Sequence, residues 1–121
     1  MAPAVLVVDD DSELRDEVGL FLEAEGFEVL LAGDGREALD VLRVRPDVSA
    51  IVLDLMMPVM DGAEFRREQL QDRSIAGIPF VLLTGRVDFT HMARALGAVA
   101  CLQKPFEPQS LLRALRPRSA H

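Results

Sequence analysis

Residues Ser49–Met57 read SAIVLDLMM, and after the opening serine every position is apolar except Asp54. An unbroken apolar run of this length lacks the alternation of a half-exposed strand and predicts a strand buried on both faces. Strands of that kind belong to parallel sheets with helices on either side. A carboxylate between IVL and LMM has no packing role there. Asp54 therefore raises a chemical question as well as a structural one.

The same kind of run recurs along the chain: AVLVV at 4–8, FEVLLA at 27–32, IPFVLLTG at 78–85 (entered through Pro79) and the weaker AVACLQ at 98–103. Between the runs lie stretches with helical spacing. Ser12 reads as an N-cap, after which Leu14, Val18, Phe21, Leu22 and Ala24 share a face, and Gly26 ends the helix. Asp34-Gly35 turns the chain into REALDVLRVR, whose Ala38, Leu39, Val41 and Leu42 are helically spaced; Pro46 closes it. AEFRREQLQD follows Pro58 and Asp61-Gly62. DFTHMARALG opens on Asp88 as a cap and stops at Gly97. EPQSLLRALR carries Pro108 in its first turn, where proline is tolerated. Strands alternating with helices of this length imply βαβ units with right-handed crossovers. The predicted fold is α/β: a doubly wound, five-stranded parallel sheet of order 2-1-3-4-5, flavodoxin-like.

At 121 residues the chain is expected to form one domain, residues 1–121, with 117–121 as a frayed tail. The net charge of −7 speaks against a nucleic-acid surface as the main activity, because phosphate neutralisation needs clustered positive charge. No apolar run approaches the roughly 18 residues of a membrane span. The start, MAPAVLVVDDD, lacks the basic region of a signal peptide, and a single cysteine cannot form an internal disulfide. A cytoplasmic protein without membrane contact is the expectation.

In a parallel sheet every strand ends on the same edge, and ligands bind there at the point where the strand order reverses. Asp9, Asp10 and Asp11 follow the first strand, Asp54 ends the third, Thr84 ends the fourth and Lys104 follows the fifth. Four separate pieces of sequence thus deliver carboxylates, a hydroxyl and an ammonium to one crevice. Two carboxylates about 4 Å apart repel by roughly 4 kcal/mol at an effective dielectric near 20, so such a cluster needs a cation. Lys104 supplies part of the compensation. A hard divalent ion with open positions for water would supply more, and Mg²⁺ fits an all-oxygen site.

Lys104 is the only lysine among thirteen basic residues. Arginine offers a broad planar fork, whereas lysine offers a compact point charge on a slim stem. A slot for one ammonium against single oxygens between aspartates selects lysine.

VLVVDDD, IVLDLMMPVMDG, LLTG and KPF, in this order and spacing, resemble the receiver domain of response regulators in two-component signalling. The resemblance covers nearly the whole chain. It implies that Asp54 is the phospho-acceptor, taking a phosphoryl group from a phosphohistidine on a sensor histidine kinase or a histidine phosphotransfer protein. It implies that Asp9 and Asp10 organise Mg²⁺ (or Mn²⁺), Asp10 directly and Asp9 at least partly through water. Asp54 and the backbone carbonyl of Met56 would complete the protein ligands. Thr84 and Lys104 would each hold a phosphoryl oxygen, and Gly85 would leave the site open. The Lys104–Pro105 bond is expected to be cis. Phosphorylation would shift an existing equilibrium and change the face made by helix 4, strand 5 and helix 5, where a downstream protein binds. Such a domain catalyses its own phosphotransfer and dephosphorylation and is not a turnover enzyme. No output domain is expected within these residues, whether the receiver stands alone or is a piece of a longer protein.

The sequence departs from the family at Cys101, three positions before the lysine, where most receivers carry an aromatic residue that rotates inward on activation. A thiol cannot fill or vacate that volume. Met56 and Arg86 flank the site at positions that in the family govern access of water to the acyl phosphate. Two other readings stay open here. A receiver that works without phosphate would need no Asp, Thr and Lys set. A phosphatase with an aspartyl nucleophile needs a carboxylate two residues on, where Met56 stands, and a cap for which the chain has no room. DDDSEL after the first strand is electrostatically wrong for a flavodoxin-like phosphate loop.

Overall fold

A computed structural model describes residues 2–54, 62–85 and 90–116. Met56, Arg86 and the Asp88 cap lie outside the described residues. Strands and helices alternate: β1 (Ala4–Val8), α1 (Ser12–Ala24), β2 (Glu28–Ala32), α2 (Gly35–Val44), β3 (Ala50–Asp54), α3 (Gly62–Gln71), β4 (Phe80–Thr84), α4 (Thr90–Leu96), β5 (Ala100–Gln103) and α5 (Pro108–Leu115). The sheet runs β2-β1-β3-β4-β5 with every neighbouring pair parallel, as the sequence predicts.

The unbroken apolar runs are explained by the layers. β1, β3 and β4 are buried at every position, while the edge strands β2 and β5 are partly exposed. Alternate side chains go to opposite faces, as the pleat requires. Leu6, Ile51, Leu53 and Leu82 pack with Leu39 and Leu42 of α2, Phe65 of α3 and Ala93 of α4. Val5, Val7, Val52, Val81 and Leu83 pack with Val18 and Leu22 of α1 and with Leu111 and Leu115 of α5. Each fully buried Leu contributes about 1.5–3 kcal/mol relative to exposure.

The helix ends show one correction. Asp11, not Ser12, caps α1: its Oδ1 accepts from the backbone N–H of Glu13 at 3.1 Å and of Leu14 at 3.2 Å. Ser12 is already helical, and Asp11 has the extended backbone from which a side chain reaches the first turn. Asp34 caps α2 by accepting from Glu37 N–H, and the Glu37 side chain accepts from Gly33 N–H in return. Gly26 takes the positive φ of 98° that lets the chain leave α1.

Two interior positions can be tested. Gln69 is fully buried, and its side-chain amide donates to the carbonyls of Ile75 (2.9 Å) and Ile78 (3.0 Å), fixing the segment that leads into β4. Gln69→Leu would strand two acceptors and is expected to cost about 2–4 kcal/mol in urea unfolding. Cys101, in β5, is half-buried against the core layer that holds Leu82 and Phe65. Burial pushes its thiol pKa up. Since the thiolate is the nucleophile, iodoacetamide at pH 8 should alkylate the native protein more slowly than the urea-unfolded chain. Equal rates would contradict this environment.

Candidate functional site

The parallel sheet brings four strand ends together. Asp9 and Asp10 follow β1 directly, Asp54 is the last residue of β3, Thr84 the last of β4, and Lys104 follows β5. β1 and β3 are neighbours, although the chain makes β2 between them, and this reversal opens the crevice. Thr84 pairs in register with Gln103, and the Lys104 N–H donates to the Thr84 carbonyl at 2.7 Å. The ends of β4 and β5 are thereby tied together beside the carboxylates.

Carboxylate oxygens of Asp9, Asp10 and Asp54 all lie within 4.8 Å of one another. Asp9 and Asp54 are buried, at 1% and 6% exposure, while Asp10 faces solvent. Lys104 Nζ donates to Asp9 Oδ2 at 3.3 Å and to Asp54 Oδ2 at 3.2 Å. Burial alone pushes its ammonium down, but the charges of Asp54 and Asp9 outweigh this and raise its pKa above the ordinary lysine value. One slim ammonium bridges carboxylates from two strands, the task for which a lysine is the suitable cation. The Lys104–Pro105 bond is cis, as expected.

Three carboxylates against one ammonium leave the cluster net negative. The donor set is entirely hard oxygen, with one member open to water. That composition fits a magnesium-like ion and is wrong for a soft metal. Thr84 is fully buried at the edge of the same crevice. Met56 and Arg86, predicted to flank it, lie outside the described residues.

The loop carrying Asp9 and Asp10 is fixed by contacts that sequence reasoning missed. Asp9 N–H donates to Ala32 O at 3.1 Å, and Asp9 Oδ1 accepts from Asp11 N–H at 3.0 Å. Arg15, on the first turn of α1, donates from Nη1 to the Asp9 carbonyl at 3.1 Å. Gly33 leaves room for it, since a Cβ there would stand 3.2 Å from that nitrogen. The signal was a lone arginine on an otherwise acidic helix, six residues past Asp9.

Comparison with known proteins gives a consistent answer. The sequence model of the response regulator receiver domain matches residues 5–116. The chain is 38% identical over 121 residues to the DNA-binding response regulator MtrA of Mycobacterium tuberculosis H37Rv, covering 98% of this chain and 51% of MtrA. It is 42% identical over 120 residues to the response regulator MprA of Mycolicibacterium vanbaalenii, covering 96% of this chain and 50% of MprA. The chain thus spans about half the length of the curated relatives it matches. Among solved structures, the chemotaxis response regulator CheY4 of Vibrio cholerae is similar with a TM-score of 0.86 and 35% identity, covering 95% of this chain and 97% of that one. A putative response regulator from Chloroflexus aurantiacus gives 0.87 and 30%, covering 95% and 98%. The match from residue 5 to residue 116 takes in all but the ends, and the chain belongs to the response regulator receiver domain family.

Proposed function

We propose that this chain is a single receiver domain acting as a phosphorylation-controlled switch, with Asp54 as the acceptor. One observation carries the reading: the only lysine in the chain is held between Asp9 and Asp54 where the strand ends meet. A carboxylate oxygen of Asp54 attacks the phosphorus of a phosphohistidine on a sensor kinase or histidine phosphotransfer protein. The P–O bond forms as the P–N bond breaks, the imidazole leaves with the electron pair, and an acyl phosphate remains.

Asp9, Asp10 and Asp54, with the Met56 carbonyl, would hold a magnesium or manganese ion, which supplies positive charge to the phosphoryl oxygens when bound. The Lys104 ammonium, now on Asp54, passes to a phosphoryl oxygen once Asp54 carries the phosphoryl group. The Thr84 hydroxyl takes another. Asp54 is buried, and Met56 and Arg86 are the residues expected to govern the access of water to the acyl phosphate. The domain catalyses only its own phosphorylation and dephosphorylation.

An apolar groove lined by Leu14, Val18, Phe21, Pro105, Phe106 and Leu111 adjoins Lys104 and offers the phosphohistidine-bearing partner a surface beside the acceptor. The downstream protein binds the face of α4, β5 and α5. No helix among the described residues is long and apolar enough to cross a membrane. The DNA binding in MtrA's name belongs to a protein about twice this length.

Incubation with acetyl phosphate or phosphoramidate is expected to add one phosphoryl group to the wild type, read by intact-protein mass. EDTA and Asp54→Asn should each abolish the addition. Incorporation that persists in Asp54→Asn would reject Asp54 as acceptor. Separately, Mg²⁺ should raise the melting temperature of the wild type by mass action, and Asp10→Asn should lose most of that gain. Equal Mg²⁺ responses would reject the metal assignment.

A further inference from the structure

Arg66 and Gln69 lie one turn apart on α3, away from the carboxylate cluster. The Arg66 guanidinium sits over the Phe80 ring, 4.9 Å from its centroid. Its Nη1 donates to Gln69 Oε1 at 3.0 Å, and its Nε donates to the Leu96 carbonyl at 2.9 Å. Gln69 in turn donates to Ile75 O and Ile78 O. One connected network therefore joins α3, the entry to β4 and the last carbonyl of α4.

Each partner of this guanidinium is neutral: a carbonyl, an amide oxygen and an aromatic face. Burial pushes its pKa down. The negative end of α4 and the face of Phe80 offset that cost, since cations are favoured at helix C-termini and over aromatic rings. The end of α4 is closed by its own chain as well. Gly97 N–H donates to Arg94 O at 3.1 Å and Ala98 N–H to Ala93 O at 2.9 Å, with Gly97 at φ 85°. This is a Schellman closure, and it leaves the Leu96 carbonyl for a side chain to take. Arg66 takes it. A Cβ at Gly97 would stand 3.2 Å from Arg66 Nη2, so the glycine also gives the guanidinium its space.

Leu96 and Ala98 also rest, partly buried, on the core layer, so the polar tie adds to an apolar contact at this end. The helix is seven residues long, too short to be stable alone, and among its described side chains Ala93 is buried while Leu96 packs partly buried on the same layer. We propose that Arg66 is a positioning residue that latches the carboxyl end of α4 to α3 and β4, so that Leu96–Gly97 is the pivot about which this helix turns when Asp54 changes state. The latch belongs to the resting fold. Its use as a pivot rests on the phosphorylation reading above.

Hydrogen exchange followed by mass spectrometry on the unphosphorylated protein tests the latch. In Arg66→Met the amides of residues 90–98 should exchange roughly tenfold faster, with β1 and β3 unchanged. Arg66→Lys keeps the cation and stem but cannot bridge both partners, and should accelerate exchange by less; it also serves if Arg66→Met does not fold. Unchanged exchange at 90–98 in the folded variant, or acceleration spread evenly over the chain, would overturn the latch. The pivot is tested by repeating the comparison after phosphoramidate. Wild type should change its exchange on the amino-terminal side of Leu96 and not at 97–98, whereas the variant should change at both. Identical responses would overturn the pivot. Failure to add a phosphoryl group would defeat the phosphorylation reading and the pivot with it, but would leave the latch standing on the first comparison.

Discussion

The repulsion between carboxylates at one edge of the sheet governs the rest of this structure. Asp9 and Asp54 are both buried, and water cannot dissipate their charges as it does for Asp10. Left alone, such a pair would drive the strand ends apart or take up protons. The fold instead spends its single lysine on them, from a fifth strand far away in sequence. The parallel arrangement makes this possible, because β1, β3 and β5 must all finish at the same edge. Ammonium and carboxylates are thus set by topology, and the remaining negative charge suits the crevice to a cation.

Much of this was legible in the sequence because it depends on local pattern and chain order. The unbroken runs around Asp54, Val5 and Leu82 announce two-sided burial, and strand direction then dictates where Asp9, Asp54, Thr84 and Lys104 must meet. Other features were hidden because they depend on which of several similar groups faces inward. Asp11 and Ser12 both carry a side-chain oxygen suited to capping α1, and only the extended backbone at Asp11 decides between them. Arg66 and Gln69 looked like ordinary polar residues in AEFRREQLQD. Their burial is set by the approach of α4 and the turn after α3, which no periodicity encodes. Arg15 was missed for the same reason, since its partner is a backbone carbonyl.

Cys101 shows where the family pattern and this chain part. In β5 it lies opposite Leu82 and packs into the layer under α4. A small, soft side chain there leaves the neighbouring helix to be positioned by other means. The polar tie from Arg66 to Leu96 reaches the same helix from the other side, through α3.

The division of every central strand between two cores has a mechanical meaning. α4 contributes Ala93 to one layer, and α5 contributes Leu111 and Leu115 to the other, with β5 between them. Among the described residues, the buried side chains of these two helices belong to different clusters. A protein that gripped both at once would sense the two halves of the molecule separately, as a hand resting across a seam feels each panel move. Shear between the layers, invisible to a partner confined to one of them, would then become a readable signal.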